Sequence, residues 1–288
     1  MSKTNIKKII AKYPWISVLI IILAVVIYVY SAFFFIPVKD GEAEVHFINV
    51  GQGDAALILT DSASVLIDTG TTESGKKVAS YIKTRTDSLD YMILSHPHED
   101  HIGGADDIFE NVTVKNVVMP DHTANSTSFD RLLNGIESSG AEVIPAVKGL
   151  TFSAGDLHFE ILSPTEGKDY EETNDVSAVV RVTYGKTSFL FTGDAEAIIE
   201  KELVSGHHLS HCDVLKVGHH GSSTSSTEDF LRAISPDIAV ISCSKDNSYG
   251  HPHREVIKRL NDIGSQILRT DTDGTIVIIS DGNGVRVK

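Results

Sequence analysis

Positive charge is scarce in this chain beyond its first twelve residues. Lys3, Lys7, Lys8 and Lys12 stand there without an acid; setting those 4 aside from 25 leaves 21 lysines and arginines against 39 acids, a formal −18. A protein that holds nucleic acid by neutralising many phosphates is basic, so a long duplex is excluded as ligand, and a short strand or small phosphodiester is not. Cysteine is also rare, with only Cys212 and Cys243. One precedes a strand-like run and the other follows another. As parallel neighbours these would hold the thiols beyond the ~7 Å Cα limit of a disulfide, so free thiols are predicted. Internal repeats and low-complexity stretches are absent, which leaves room for one large domain with a substantial core.

Long uncharged runs are missing as well, with a single exception. Residues 15–36 carry no charge over 22 positions. As a helix this run is ~33 Å long, matching the ~30 Å hydrocarbon core of a bilayer. The four lysines ahead of it place the N-terminus in the cytoplasm and the remainder outside. A cleaved signal peptide is the rival, but Tyr30-Ser31-Ala32 is a poor small-residue site and an h-region is usually ~7–15 residues. One such run makes no translocation pore by itself. The expected organisation is a basic cytoplasmic segment 1–14, a transmembrane helix 15–36, a linker 37–43 and a domain 44–288.

Within that domain, period-two or continuous apolar runs predict strands at 45–50, 56–59, 65–67, 159–162, 178–183 and 188–191. Helices are expected at 74–84, 129–138, 195–204, 227–233 and 254–263. Strands followed by helices recur in each half, the order of an α/β layered domain.

The chemistry concentrates in Ser95-His96-Pro97-His98-Glu99-Asp100-His101, where three imidazoles and Asp100 fall within six positions. Imidazole nitrogen and carboxylate oxygen suit Zn²⁺ and its borderline neighbours, whereas Mg²⁺ or Ca²⁺ would draw mostly oxygen. The run follows an apolar stretch, 89–94, and precedes Gly103-Gly104, so the ligands lie in a loop at a strand's end. A solvated histidine-rich turn explains neither the alternation nor the carboxylate. His96 and His98 reach one ion together, while Asp100 and His101 lie further round the turn and suit a second. Two ions need a shared anionic ligand, and Asp194, just after an apolar run, is the candidate bridge. His219 and His220 end another such run, and at least one should complete the site.

His-x-His-x-Asp-His, the later Gly-Asp and the still later His resemble the metallo-β-lactamase fold superfamily. With residues 46–55, 66–70, 174–177, 192–196, 215–222 and 249–252 added, the chain is similar to the hydrolase domain of ComEC-type competence proteins. The phosphorylcholine esterases of cell-wall teichoic acid are similar too. The resemblance implies a four-layer αββα sandwich with a dinuclear site at its edge, holding two Zn²⁺ per chain or Mn²⁺ in their place. It also implies that Asp54, in the glycine turn Gly51-Gln52-Gly53-Asp54, orients a ligand. Asp68 is read as a structural brace, and Ser222 as a neighbour of the ligands or substrate.

The chain departs from the lactamase pattern at the third histidine of the first metal. His122 and His158 are the only histidines in that interval; a strand face explains His158, and His122 lies in a polar loop. Asn174, Asp175 and Ser177 stand near that place, and Asn174 would serve either the site or the loop. Two bound cations lower the pKa of water and polarise the oxygen it attacks, so hydrolysis is the expected chemistry, with phosphodiesters favoured because a metal pair clamps both attacking and leaving oxygens. Asp100 and His251 are the expected catalytic groups, His251 donating a proton to the leaving oxygen or holding a phosphate. A helix-start histidine without chemical duty is the plainer account of His251. Arg254, Lys258 and Lys245 would form a small basic lip, or simply a solvated helix face.

The expectation is therefore a membrane-anchored extracytoplasmic metal-dependent hydrolase. Its substrates would be single-stranded nucleic acid or choline-type cell-wall phosphodiesters. A non-catalytic DNA-uptake component that keeps the fold is the alternative from another class. The missing third histidine argues against a lactam or thioester substrate.

Overall fold

The protein is described from a computed structural model at residues 13, 15–16, 18–23, 25, 37–206 and 209–288. It divides into two compact units, Met1–Pro37 and Val38–Lys288. In the first, residues 15–16, 18–23 and 25 are helical, and the rest of the expected transmembrane helix 15–36 lies outside the described residues. Among the described residues no helix is long and apolar enough to cross a membrane.

The second unit begins with an antiparallel meander, β1 (Ala43–Phe47), β2 (Ala56–Leu59) and β3 (Ser64–Ile67). Strands β4 (Ser88–Ile93), β5 (Thr113–Met119) and β6 (Glu142–Pro145) then run parallel to β3. The crossovers are α1 (Gly75–Lys83), the pair α2 (Glu99–Ile102) and α3 (Ala105–Asn111), and α4 (Thr127–Ser139). The second half repeats the plan. Antiparallel β7 (Thr151–Ala154), β8 (Leu157–Ser163), β9 (Val179–Tyr184) and β10 (Thr187–Phe191) lead to β11 (Val214–Lys216), β12 (Ile238–Ile241) and β13 (Gln266–Arg269), parallel to β10. Here α5 (Ala197–Ser205), α6 (Glu228–Ile234) and α7 (Arg254–Asp262) make the crossovers. After α8 (Thr270–Asp273), β14 (Ile276–Ser280) returns to pair with β1, and β15 (Val285–Val287) closes that edge. The result is an eight-stranded sheet, β15-β14-β1-β2-β3-β4-β5-β6, and a seven-stranded sheet, β13-β12-β11-β10-β9-β8-β7.

Three apolar clusters hold four layers together. Val45, Phe47, Phe159 and Phe189 belong to the cluster between the sheets, with Phe47 and Phe191 stacked across it at 5.8 Å. Leu57, Leu66 and Met92 pack outward against α1 and α4, and Leu190, Leu215 and Ile241 pack against α5, α6 and α7. Helix α1 shows how the sequence sets this. Its buried Val78, Ala79 and Ile82 recur at helical spacing and meet the sheet, while lysines occupy exposed positions. Burying a side chain such as Ile82 contributes about 1.5–3 kcal/mol, and Ile82→Ala would cost about 2–5 kcal/mol. Helix α4 starts where the Ser126 Oγ accepts from the Phe129 N–H at 3.2 Å, and it ends at Gly140, whose φ of 70° suits glycine.

The parallel strands of each half end at one edge, where side chains on short loops converge without disturbing the ladders. Both cysteines are free and buried, Cys212 ahead of β11 and Cys243 beyond β12, at opposite ends of paired parallel strands.

Candidate metal centre and cleft

The first sheet supplies the cluster beyond β4. Asp68, at the end of β3, adopts a left-handed φ of 57°, accepting from the Ser95 N–H at 2.7 Å and the Ser95 hydroxyl at 2.8 Å. Its Oδ2 also lies 2.9 Å from His101 Nδ1. That bond fixes the proton on Nδ1 and turns Nε2 towards Asp194 Oδ1 at 3.3 Å. His96 Nε2 and His98 Nδ1 stand 2.9 Å apart, and His96 Nε2 is 3.9 Å from Asp194 Oδ2.

The second sheet supplies the opposite wall. Gly193 has φ 53° and no room for a Cβ, which would meet Ser95 Cβ at 2.7 Å; this close approach brings Asp194 against the cluster. The Asp194 N–H donates to Ser177 Oγ at 3.1 Å. Beyond β11, His219 (φ 48°) and His220 (φ 54°) are consecutive left-handed residues, a strain of order 1–3 kcal/mol each. Both rings consequently reach the same Asp194 Oδ2, at 3.8 and 3.7 Å. His220 Nε2 is 3.1 Å from Asp100 Oδ2, with Nδ1 3.0 Å from the Ser242 carbonyl. His219 Nδ1 lies 3.3 Å from Glu196 Oε1 and 3.2 Å from Thr224 Oγ1.

These donors fit a divalent cation. Ligand atoms of Asp100, His101, Asp194 and His220 all lie within 4.8 Å of one another. Nitrogen and oxygen ligands at ~2.0–2.2 Å around a tetrahedral ion are separated by roughly 3.3–3.5 Å, so small rotations would close the set. His101 Nε2 and Asp194 Oδ1 are buried and lack hydrogen-bond partners, as atoms facing an ion would be. His96 and His219 approach the same Asp194 Oδ2 as His220, and His98 stands against His96.

Charge in the cluster is finely opposed. Burial alone would raise Asp194, but His101 and His220 outweigh it and hold the carboxyl well below its usual range. Asp100, likewise raised by burial, is brought down to about 2 by His101 and His220. Burial works against charge on His220, yet Asp194 and Asp54 raise its pKa to about 10; Asp194, Asp100 and Asp68 raise His101 in the same way. Burial and the nearby His101 push His96 well down. Beneath this layer Lys216 Nζ pairs with Asp54 Oδ2 at 2.6 Å, and Asp54 Oδ1 lies 3.5 Å from His220 Nδ1. Burial would raise Asp54, but Lys216 and His220 keep it ionised.

A cleft of about 480 Å³ opens over the cluster, with Gln52, Thr71, Glu99, Asn174, Tyr249 and His251 joining the donors along its walls. His251 belongs to it, 5.5 Å from the His219 ring. The Gln52 Oε1 accepts from the Ser244 N–H, which leaves its amide NH₂ to face His251 Nδ1 at 3.4 Å. Asn174 donates to Glu196 Oε1 at 3.1 Å and so braces the carboxylate beside His219. Ser222 bonds Thr224 at 3.0 Å within the turn and does not line the cleft. His158 instead bonds Ser153 on β7, and neither His158 nor His122 lines the cleft. The expected basic lip does not form there: Arg254, Lys258 and Lys245 are absent from the lining, and Lys258 pairs with Asp262. Sequence reasoning included Lys216, Glu196 and Tyr249 in its motifs but gave them no role. Lys216 follows two apolar strand residues, a position where a buried cation signals an acid opposite.

Known proteins bear on this geometry. Residues 48–245 match the metallo-beta-lactamase superfamily. ComE operon protein 3 of Bacillus subtilis is 34% identical over 262 residues, covering 84% of this chain and 34% of that protein. Competence protein ComA of Neisseria gonorrhoeae is 32% identical over 259 residues, covering 87% and 34%. The chain therefore spans about a third of the length of these relatives. Among solved structures, the metallo-beta-lactamase fold protein YhfI of Bacillus subtilis superposes with a TM-score of 0.56 at 15% identity, covering 84% of this chain and all (100%) of that one, a likeness of fold. The matched residues include the histidine cluster and Asp194, and the chain belongs to the metallo-beta-lactamase superfamily.

Proposed function

We propose that this protein is a dinuclear metal-dependent phosphodiesterase acting on single-stranded nucleic acid. The observation that carries the reading is the convergence of Asp100, His101, Asp194 and His220 within 4.8 Å, with His96 and His219 also approaching Asp194 and His98 against His96, under an open cleft. His96, His98, His219 and Asp194 would hold one cation, Asp100, His101, His220 and Asp194 the other, with Zn²⁺ or Mn²⁺ matching the donors. When bound, such a pair lowers the pKa of water and polarises a phosphoryl oxygen.

The chain's own residues do the rest. Asp68 and the Ser242 carbonyl hold His101 and His220 with Nε2 towards the centre. His251 is lowered to about 4 by burial and by His219 and His220, so it is neutral at pH 7. With Nδ1 facing Gln52, it presents Nε2–H as a hydrogen-bond donor for a phosphoryl oxygen. Relatives named for competence support a nucleic-acid substrate. The uncharged segment 15–36 and the lysines before it support a membrane-anchored protein with this domain outside the cytoplasm.

The test is elemental analysis of the purified full chain with assays on single-stranded DNA, bis-p-nitrophenyl phosphate and p-nitrophenylphosphorylcholine. Two metals and chelator-sensitive cleavage of the first two are expected. Cleavage of the choline ester alone would transfer the reading to cell-wall phosphodiesters, and a protein inert to all three would point to a binding role. Protease accessibility on intact cells tests the topology, with protection of the domain overturning it.

A further inference from the structure

We propose that Tyr249 is the platform on which a nucleobase beside the scissile phosphodiester stacks, an inference that rests on reading the cleft as a phosphodiesterase site. None of the described residues lining the cleft is Lys or Arg, and the chain carries a formal charge of −14. A polyanionic substrate therefore finds no lysine or arginine among these walls, and uncharged contacts must supply part of its grip beyond the metals.

Tyr249 offers such a contact. Its 66% exposure is the largest of any large apolar side chain among the described residues, and it stands in the cleft wall. One face lies against His251, with ring centroids 5.6 Å apart and planes within 23°. The backbone beneath is fastened at several points. Asn247 donates to the carbonyls of Ser244 and His251 at 2.7 and 2.6 Å and accepts from the His251 N–H at 2.9 Å. His253 accepts from the Ser223 N–H at 2.9 Å on Nδ1, which leaves Nε2–H to donate to the Tyr249 carbonyl at 3.2 Å. Fastening the backbone under an exposed aromatic ring contributes little to the fold, whereas a ring on a fixed backbone and stacked on His251 binds a planar partner at reduced entropic cost. A quaternary ammonium group would call for several aromatic faces, and Tyr249 is the single phenyl-type ring among the described residues of the lining. The flat, sequence-tolerant contact of a base fits one exposed face.

The test uses the full chain and a short single-stranded oligonucleotide carrying 2-aminopurine, whose fluorescence falls on stacking. Quenching is expected with the wild type, Tyr249→Phe and Tyr249→Trp. With Tyr249→Ala quenching should be lost and the dissociation constant should rise roughly 5- to 150-fold. In parallel, kcat and KM are measured for base-bearing and abasic phosphodiesters. The preference for the base-bearing substrate should shrink in Tyr249→Ala through KM, and Tyr249→Trp should restore it. Quenching that depends on Tyr249 without any hydrolysis would uphold the platform and sink the phosphodiesterase reading. Hydrolysis with quenching and preference unchanged in Tyr249→Ala would sink the platform alone. A loss confined to p-nitrophenylphosphorylcholine would also overturn it, in favour of a choline contact.

Discussion

Lys216 and Asp54 form an ion pair at 2.6 Å, with side chains 4% and 7% exposed, directly beneath His220. Removing one partner of such a pair leaves the other charge buried alone. Lys216→Met should destabilise the domain by about 3–5 kcal/mol in chemical denaturation. The double variant Lys216→Met with Asp54→Leu should recover much of that loss, yet it should still bind metal more weakly because His220 loses a carboxylate neighbour. A double variant as unstable as the single one would show that the pair is not the source of the effect.

Asp194 touches both halves of the histidine cluster, through Oδ1 to His101 and Oδ2 to His96, His219 and His220. Asp194→Ala should remove most bound metal and all hydrolysis. Elemental analysis decides, since an unchanged metal content would refute the shared-ligand role.

His251 contacts Gln52 and Tyr249 but belongs to no cluster of metal-ligand atoms among the described residues. His251→Ala should keep the metal content and lower kcat by roughly 10²-fold, the lower range for a positioned proton-transfer or hydrogen-bonding group. Loss of metal would make it a ligand.

Cation binding should release protons. His220, raised to about 10, is protonated in the metal-free site at pH 7.5, and a ligand nitrogen must be neutral. Calorimetric titration with Zn²⁺ in buffers of different ionisation enthalpy should show at least one proton released, and affinity should climb with pH towards about 10. Buffer-independent heats would contradict this.

Acid should weaken the fold through His46 on β1, whose ring lies 2.9 Å from the Tyr81 hydroxyl. Burial, with Arg85 adding to it, lowers its pKa to about 4, whereas an unfolded histidine titrates near 6.5. Between those values the unfolded chain binds a proton that the folded chain refuses. The contribution of His46 should be level above pH 6.5 and fall by about 3 kcal/mol down to pH 4. His46→Leu should flatten that drop, and an unchanged slope would assign it elsewhere.

The fold was legible where apolar spacing was regular. Expected helices at 74–84, 129–138, 195–204, 227–233 and 254–263 correspond to α1, α4, α5, α6 and α7, with ends shifted by two residues at most. Strands β5 and β6 escaped because Thr113–Met119 carries Lys115 and Asn116 and Glu142–Pro145 is largely exposed, so neither reads as a core strand. That the histidines and Asp194 would gather in one place was legible, because ligand chemistry tolerates few residue types. His219 and His220 were both named, at least one of them to complete the site; two successive left-handed residues bring both rings to one carboxylate. Tyr249 was beyond reach, because nothing in its neighbours announces that the ring is exposed.

The four groups nearest one another come from both sheets, Asp100 and His101 after β4 and Asp194 and His220 after β10 and β11. Any cation held by all four is a cross-link between halves that also meet through apolar packing and polar contacts such as Lys216 with Asp54. Because an unfolded chain has no such seam, occupancy adds RT ln(1 + [L]/Kd) to stability, about 4 kcal/mol at a thousandfold excess over Kd. A melting curve is thus a gauge of metal content, and scarcity of metal would cost this protein its mechanical coherence along with its chemistry.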